Sequence, residues 1–216
     1  MSRCRWSRLP ARMVLTGVVC LGAAACGSSG TPVVTSTRPS TTAATAPPTA
    51  IRIGPGTQAR YFAEAQPAAG SCHYRTEGGP FLPDPSCTPG AINPQVTRAN
   101  VSTTICQSGW TATVRPPPSV TDLEKVGSAR AYGYTGSFRT GEYDHLIPLE
   151  LGGDPNDPAN LWLQPNDNPN ATSTRNSKDS LERTLNDLVC SGRLTLAAAQ
   201  EAIATDWVAT ARRYPG

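Results

Sequence analysis

The sequence predicts an α+β fold: a small, disulfide-stapled domain in which a hairpin runs into a helix and further C-terminal helices close the structure. Three observations carry this reading. Two apolar segments, residues 143–149 and 160–163, flank a turn-rich loop at residues 152–158, and a helical pattern opens near Ser177, giving a ββα order. Leu181, Leu185, Leu188 and Val189 then fall on one helical stripe and Leu196, Ala199, Ile203 and Trp207 on another, with Gly192 as the stop between them. Cysteines supply the third observation: Cys72, Cys87, Cys106 and Cys190 remain in the globular part, and an even number in an oxidising compartment reads as two disulfides.

The chain opens with an address. Arg3, Arg5, Arg8 and Arg12 precede a short apolar stretch at residues 13–21, too short to span a bilayer, and a small-residue region at 22–25. Residues 1–25 therefore read as a signal peptide. The run AAAC-GSS that ends it resembles the lipobox of bacterial lipoproteins, which makes Cys26 the expected lipidation site and the anchor of the domain on the outer face of the cell membrane. A tether comes next, assigned to residues 26–58. From Gly27 to Ala50, Ser, Thr and Pro dominate and Arg38 is the only charge, so too little apolar area is available to offset ordering entropy. Ordered structure is expected to begin near Tyr61, in a globular domain over residues 59–216.

Charge narrows the function classes. The 216-residue chain carries a formal charge of +3, but four of its 19 basic residues lie in the signal. The chain beyond the signal has 15 basic residues against 16 acidic ones, a net −1 that does not indicate a broad basic nucleic-acid-binding face. No run of twenty-five apolar residues occurs, which excludes a multi-span membrane protein.

Within the domain, residues 110–114 (WTATV) alternate and read as a short strand, and residues 100–107 are open to a short helix before Gly109. Thr121, Asp122, Leu123 and Glu124 form a capping-box pattern that predicts a helix to about Arg130. Three cysteine pairings are possible. Cys72–Cys87, closing a Pro/Gly-rich loop, and Cys106–Cys190, tying an early segment to a late helix, are preferred. Zinc is not expected, because there is no C-x-x-C pair and the spacings are long.

Chemistry concentrates in EYDHLIPLELGGDPNDPANLWLQ, residues 142–164. Asp144 and His145 are adjacent and, on a strand, point to opposite faces. A carboxylate suits a hard divalent cation, and an imidazole can take a proton from water. Asn160 lies across the loop, where its amide could orient the imidazole.

The pattern D-H-x-I-P-L-x-L-G-G followed by N-L-W resembles the HNH (His-Asn-His) endonuclease family, whose ββα-metal motif hydrolyses phosphodiester bonds. The match is specific over residues 143–162, with a core motif spanning 142–190, and weaker through Lys178, Asp179 and Glu182. The stretches LPDPSCTPG (82–90) and TICQSGW (104–110) also look like exported bacterial proteins bearing the motif. The resemblance implies Asp144 as metal ligand, His145 as general base and Asn160 as the residue holding the base and its loop. It also implies Mg²⁺, with Mn²⁺ possible, as cofactor, and DNA or RNA as substrate. The sequence departs from the family on the helix, where Lys178 stands near the expected second ligand. A protonated lysine cannot ligate a cation but could contact a phosphate. Glu182 is then the substitute ligand, with Asn176 in reserve, unless Lys178 and Glu182 form a surface i, i+4 pair. Arg139, Arg175 and Arg183 could add a local phosphate-binding patch. The rival function is a non-catalytic, lipid-anchored envelope protein that keeps the same unit as a binding scaffold.

Overall fold

The computed structural model describes residues 50–75, 80–168, 170, 172–174 and 176–215; the signal peptide, Cys26, residues 26–49 of the tether and Arg175 lie outside them. The described chain is a mixed α/β domain with four helices, two small sheets and two disulfides. Among the described residues no helix is long and apolar enough to cross a membrane.

Order begins earlier than Tyr61. Strand β1 (Arg52–Ile53) pairs in parallel with β2 (Ala91–Ile92), Arg52 facing Ala91 and Ile53 facing Ile92. The residues up to Ile53 bury little of their own surface, so composition reads them as tether, yet backbone bonds to a distant strand hold them. Gly90 N in turn donates to Ala159 O and Asp154 N to Ala91 O, so β2 lies between this N-terminal arm and the loop of the second sheet.

Residues 110–114 are not a strand but a one-turn helix, α1 (Trp110–Val114). Alternation over five residues cannot distinguish the two when only Val114 is buried and no neighbouring strand offers a ladder. Only a 3₁₀ turn, Val101–Thr103, forms in the segment before it. Helix α2 (Pro118–Ala131) starts three residues before the expected capping box, with Pro at its first position where the missing N–H costs nothing. Glu124 does not cap. Its side chain is buried and accepts from Glu64 N at 2.8 Å.

The second sheet is the hairpin of β3 (Glu142–His145) and β4 (Leu161–Gln164), antiparallel, pairing Glu142 with Gln164, Asp144 with Trp162 and His145 with Leu161. The first strand is shorter than the apolar run suggested: it ends at His145, the chain bends at residues 146–147, and past Pro148 Leu149–Leu151 turn into a 3₁₀ helix. Helix α3 (Lys178–Cys190) comes next, and α4 (Leu196–Arg213) packs on it through the two predicted stripes; Leu181, Leu185, Ile203 and Trp207 are buried. Gly192, at φ +73°, makes the turn between them. Helix α4 breaks at Asp206, whose carboxylate accepts from Ala209 N and restarts the helix. The disulfides pair as preferred: Cys72–Cys87 staples the arm side, and Cys106–Cys190 ties the segment before α1 to the end of α3.

Candidate functional site

His145 ends β3 and is almost wholly buried. Its Nε2 lies 3.0 Å from the Pro155 carbonyl, which can only accept, so Nε2 carries the proton and Nδ1 keeps the lone pair. Nδ1 has no hydrogen-bond partner among the described residues. Burial lowers the imidazole to about 4, against the opposing pull of the Pro155 carbonyl and Asp144. The ring is therefore neutral at pH 7 and fixed in one tautomer.

Asn160 does not touch the imidazole, contrary to one expectation from the sequence. Buried at the head of β4, it makes four bonds to backbone. Oδ1 accepts from Ile147 N (2.9 Å) and Ala91 N (3.3 Å), and Nδ2 donates to Ile147 O (2.9 Å) and Asp154 O (3.0 Å). These bonds stitch both ends of the loop together. The close approach explains Gly153, since a Cβ there would collide with the Ile147 carbonyl.

Lys178 is the main departure from expectation. The first residue of α3 is 1% exposed, and its ammonium donates to Asp144 Oδ2 (2.7 Å), His145 O (2.7 Å) and Glu182 Oε1 (2.5 Å). Three donors meet three acceptors, so none is left for a phosphate. Burial alone would lower this amine; Asp144 and Glu182 outweigh it and hold the group above its ordinary value, charged. The i, i+4 pair with Glu182 thus exists, but inside the protein rather than on its surface. Glu182 gives one oxygen, Oε1, to the ammonium, as Asp144 gives Oδ2, and desolvation raises its carboxyl although Lys178 opposes.

Oxygen donors gather on the same face of the hairpin. Glu142 and Asp144, two apart on β3, share that face, as do their cross-strand partners Gln164 and Trp162. Asn176 Nδ2 donates to Glu142 Oε2 at 2.7 Å, while Asn176 Oδ1 is buried without a partner among the described residues, as are both amide atoms of Gln164. Burial, then repulsion from Asp144 and Asp179, pushes Glu142 up to about 7. Asp179 is raised by burial and by Asp144 as well. Beside this group a cleft of about 590 Å³ is lined by Asn166, Asp167, Asn176, Asp179 and Arg183. Glu142, Gln164, Asp154 and Pro155 were not singled out from the sequence. Glu142 alone carried a usable signal, its i−2 spacing from Asp144 on a strand.

The structure thus joins Asp144, Lys178, Glu182 and the His145 carbonyl directly, links Asn176 to Glu142 on the same strand, and holds the His145 imidazole and Asn160 on the adjoining loop through Pro155 and Asp154. Comparisons of the chain with protein-family models, with curated proteins and with solved structures gave no match.

Proposed function

We propose that the chain is an extracytoplasmic, metal-dependent phosphodiesterase of the HNH type, acting on nucleic acid without sequence preference. The observation that carries this reading is the neutral His145, locked through Nε2 on Pro155 with its Nδ1 lone pair free, one residue from Asp144 at the end of a hairpin whose loop Asn160 holds. An imidazole in that state can accept a proton from an attacking water. Its low basicity, imposed by burial, keeps it unprotonated across the physiological range.

The donor set fits a hard divalent cation, in a revised form. Lys178 takes one oxygen of each carboxylate, so the residues that would hold Mg²⁺ or Mn²⁺ are Asp144 and Glu182 through their other oxygens, together with Asn176. Asn176 Oδ1 is a buried acceptor with no donor facing it among the described residues, and repulsion from Asp144 and Asp179 acts on Glu142 beside it more strongly than the attraction of Lys178. When bound, the ion would polarise the scissile phosphate and stabilise the leaving oxygen. Lys178 would then fix the orientation of Asp144 rather than touch substrate, as supporting hydrogen bonds do for ligating carboxylates. Phosphate contacts fall to Arg183, which lines the cleft, and to Arg139, whose carbonyl accepts from Thr174 Oγ1 in the segment leading to α3. The two disulfides support an oxidising compartment, and the Cys26 lipid remains the proposed attachment to the membrane.

One observation favours the rival scaffold reading: an ammonium already pairs with both Asp144 and Glu182 and offsets part of their charge without a metal. A plasmid-relaxation assay with Mg²⁺, Mn²⁺ and Ca²⁺ separates the two. The enzyme nicks, and His145→Ala loses about 10²–10⁴-fold in rate while keeping Mn²⁺ affinity. Disulfide-intact protein that cuts neither DNA nor RNA would leave the scaffold.

A further inference from the structure

The loop that supplies the Pro155 carbonyl is itself held from outside the hairpin. Asp154, fully buried, uses both carboxylate oxygens. Oδ1 accepts from Asn156 N and Asp157 N, each at 2.9 Å, and so closes the turn around Pro155. Oδ2 accepts from Gly56 N of the arm at 2.6 Å. The backbone of Asp154 is bonded too, its N–H donating to Ala91 O and its C=O accepting from Asn160 Nδ2. The arm is shaped to allow this approach. A Cβ on Gly54 would collide with the Asp154 carboxylate, and Gly56 sits at φ +81°. A second tie lies farther along, where Asn156 Nδ2 donates to Phe62 O at 2.9 Å.

We propose that Asp154 is the positioning residue for the His145 imidazole: one carboxylate oxygen shapes the turn whose Pro155 carbonyl holds Nε2, and the other clamps that turn to the arm at Gly56. The inference rests on the role of His145 as general base. The arm, which continues from the tether, is then part of the site's support and not a passive link. Asp154 touches no reacting atom, and its effect runs through the direction of one carbonyl. If that carbonyl swings away, Nε2–H loses its acceptor and the ring populates both tautomers. Part of the population then presents the wrong nitrogen to water. Misplacement of about 1 Å at such a group can cost on the order of 10²-fold in rate.

The two oxygens can be separated by substitution. Asp154→Ala removes both. Asp154→Asn keeps one acceptor for Asn156 N and Asp157 N but turns an N–H₂ toward Gly56 N, cutting only the clamp. The readout is the ¹⁵N spectrum of the histidine rings in the full chain, which has only His73 and His145, so that His73→Gln assigns the signals. Wild-type His145 should show a single tautomer protonated on Nε2. Asp154→Ala should show both tautomers and about 10²-fold slower nicking, with both disulfides and far-UV dichroism intact. Asp154→Asn should fall between the two in both measurements. A single Nε2–H tautomer in Asp154→Ala overturns the proposal, and wild-type behaviour of Asp154→Asn overturns the part given to the arm. If Asp154→Ala does not fold, Asp154→Asn still decides whether the clamp to Gly56 positions the ring. The tautomer measurement needs no turnover, so a wild-type protein that fails to nick nucleic acid counts against the enzyme reading and leaves the positioning test standing.

Discussion

Replacing Lys178 with Met removes the ammonium from the centre of the site while keeping a long, apolar side chain in its place. Three acceptors lose their donor at once: Asp144 Oδ2, Glu182 Oε1 and the His145 carbonyl. Removing one partner of a buried ion pair typically costs about 3–5 kcal/mol, because the charge left behind is uncompensated. Here the two carboxylates keep a margin of water contact, with side-chain exposures of 18% and 16%, against 1% for the lysine. The low end, about 3 kcal/mol, is therefore expected. For a domain of this size that lowers Tm by roughly 6–12 °C. Thermal and urea melts at pH 7, with the disulfides intact, measure it. A double-mutant cycle with Glu182→Gln should give a coupling of about 1.5–3 kcal/mol, the range of a hydrogen bond to a charged group. A loss below about 1 kcal/mol together with a coupling below about 0.5 kcal/mol would show that the ammonium does not hold these carboxylates, and the orienting role given to Lys178 would fall with it.

Other expectations concern groups farther from the site. Glu124 is pushed up to about 7 by burial, so the folded state holds its proton better than the unfolded chain does. Its stabilising contribution is full below pH 4.5 and is lost as pH rises through about 7, worth on the order of 3 kcal/mol. Glu124→Gln, which mimics the protonated acid, should be close to neutral at pH 4.5 and stabilising at pH 8; equal destabilisation at both values in urea melts would refute this. Removing Cys106–Cys190, which spans 84 residues, should cost about 4–5 kcal/mol, and removing Cys72–Cys87, which spans 15, about 3 kcal/mol. Paired Cys→Ser variants in denaturant test the order, and a reversed order would count against loop-closure entropy as the cause. With so few cations available to release counterions, any nicking activity should fall only shallowly between low and physiological salt.

The local rules of the sequence determined the parts that depend on neighbours along the chain. Period 3.6 in residues 181–207 produced α3 and α4, and Gly192 the turn between them. The Gly-Gly pair and the prolines produced the hairpin loop, and the even cysteine count produced two disulfides. Lys178 was legible only as a lysine standing near the expected second ligand, one turn before Glu182. What it meets was not legible, since the ammonium joins α3 to a carboxylate and a carbonyl on β3, 34 and 33 residues earlier. The same holds for the imidazole, whose partner is a backbone carbonyl that any residue type could supply. It holds most of all for the arm: Gly56 and Asp154 are 98 residues apart, in a segment whose composition reads as tether. Periodicity and capping act over a few residues through backbone geometry. Which buried donor finds which acceptor is decided only when distant segments pack together and water leaves, because only then does an unpaired polar group become costly.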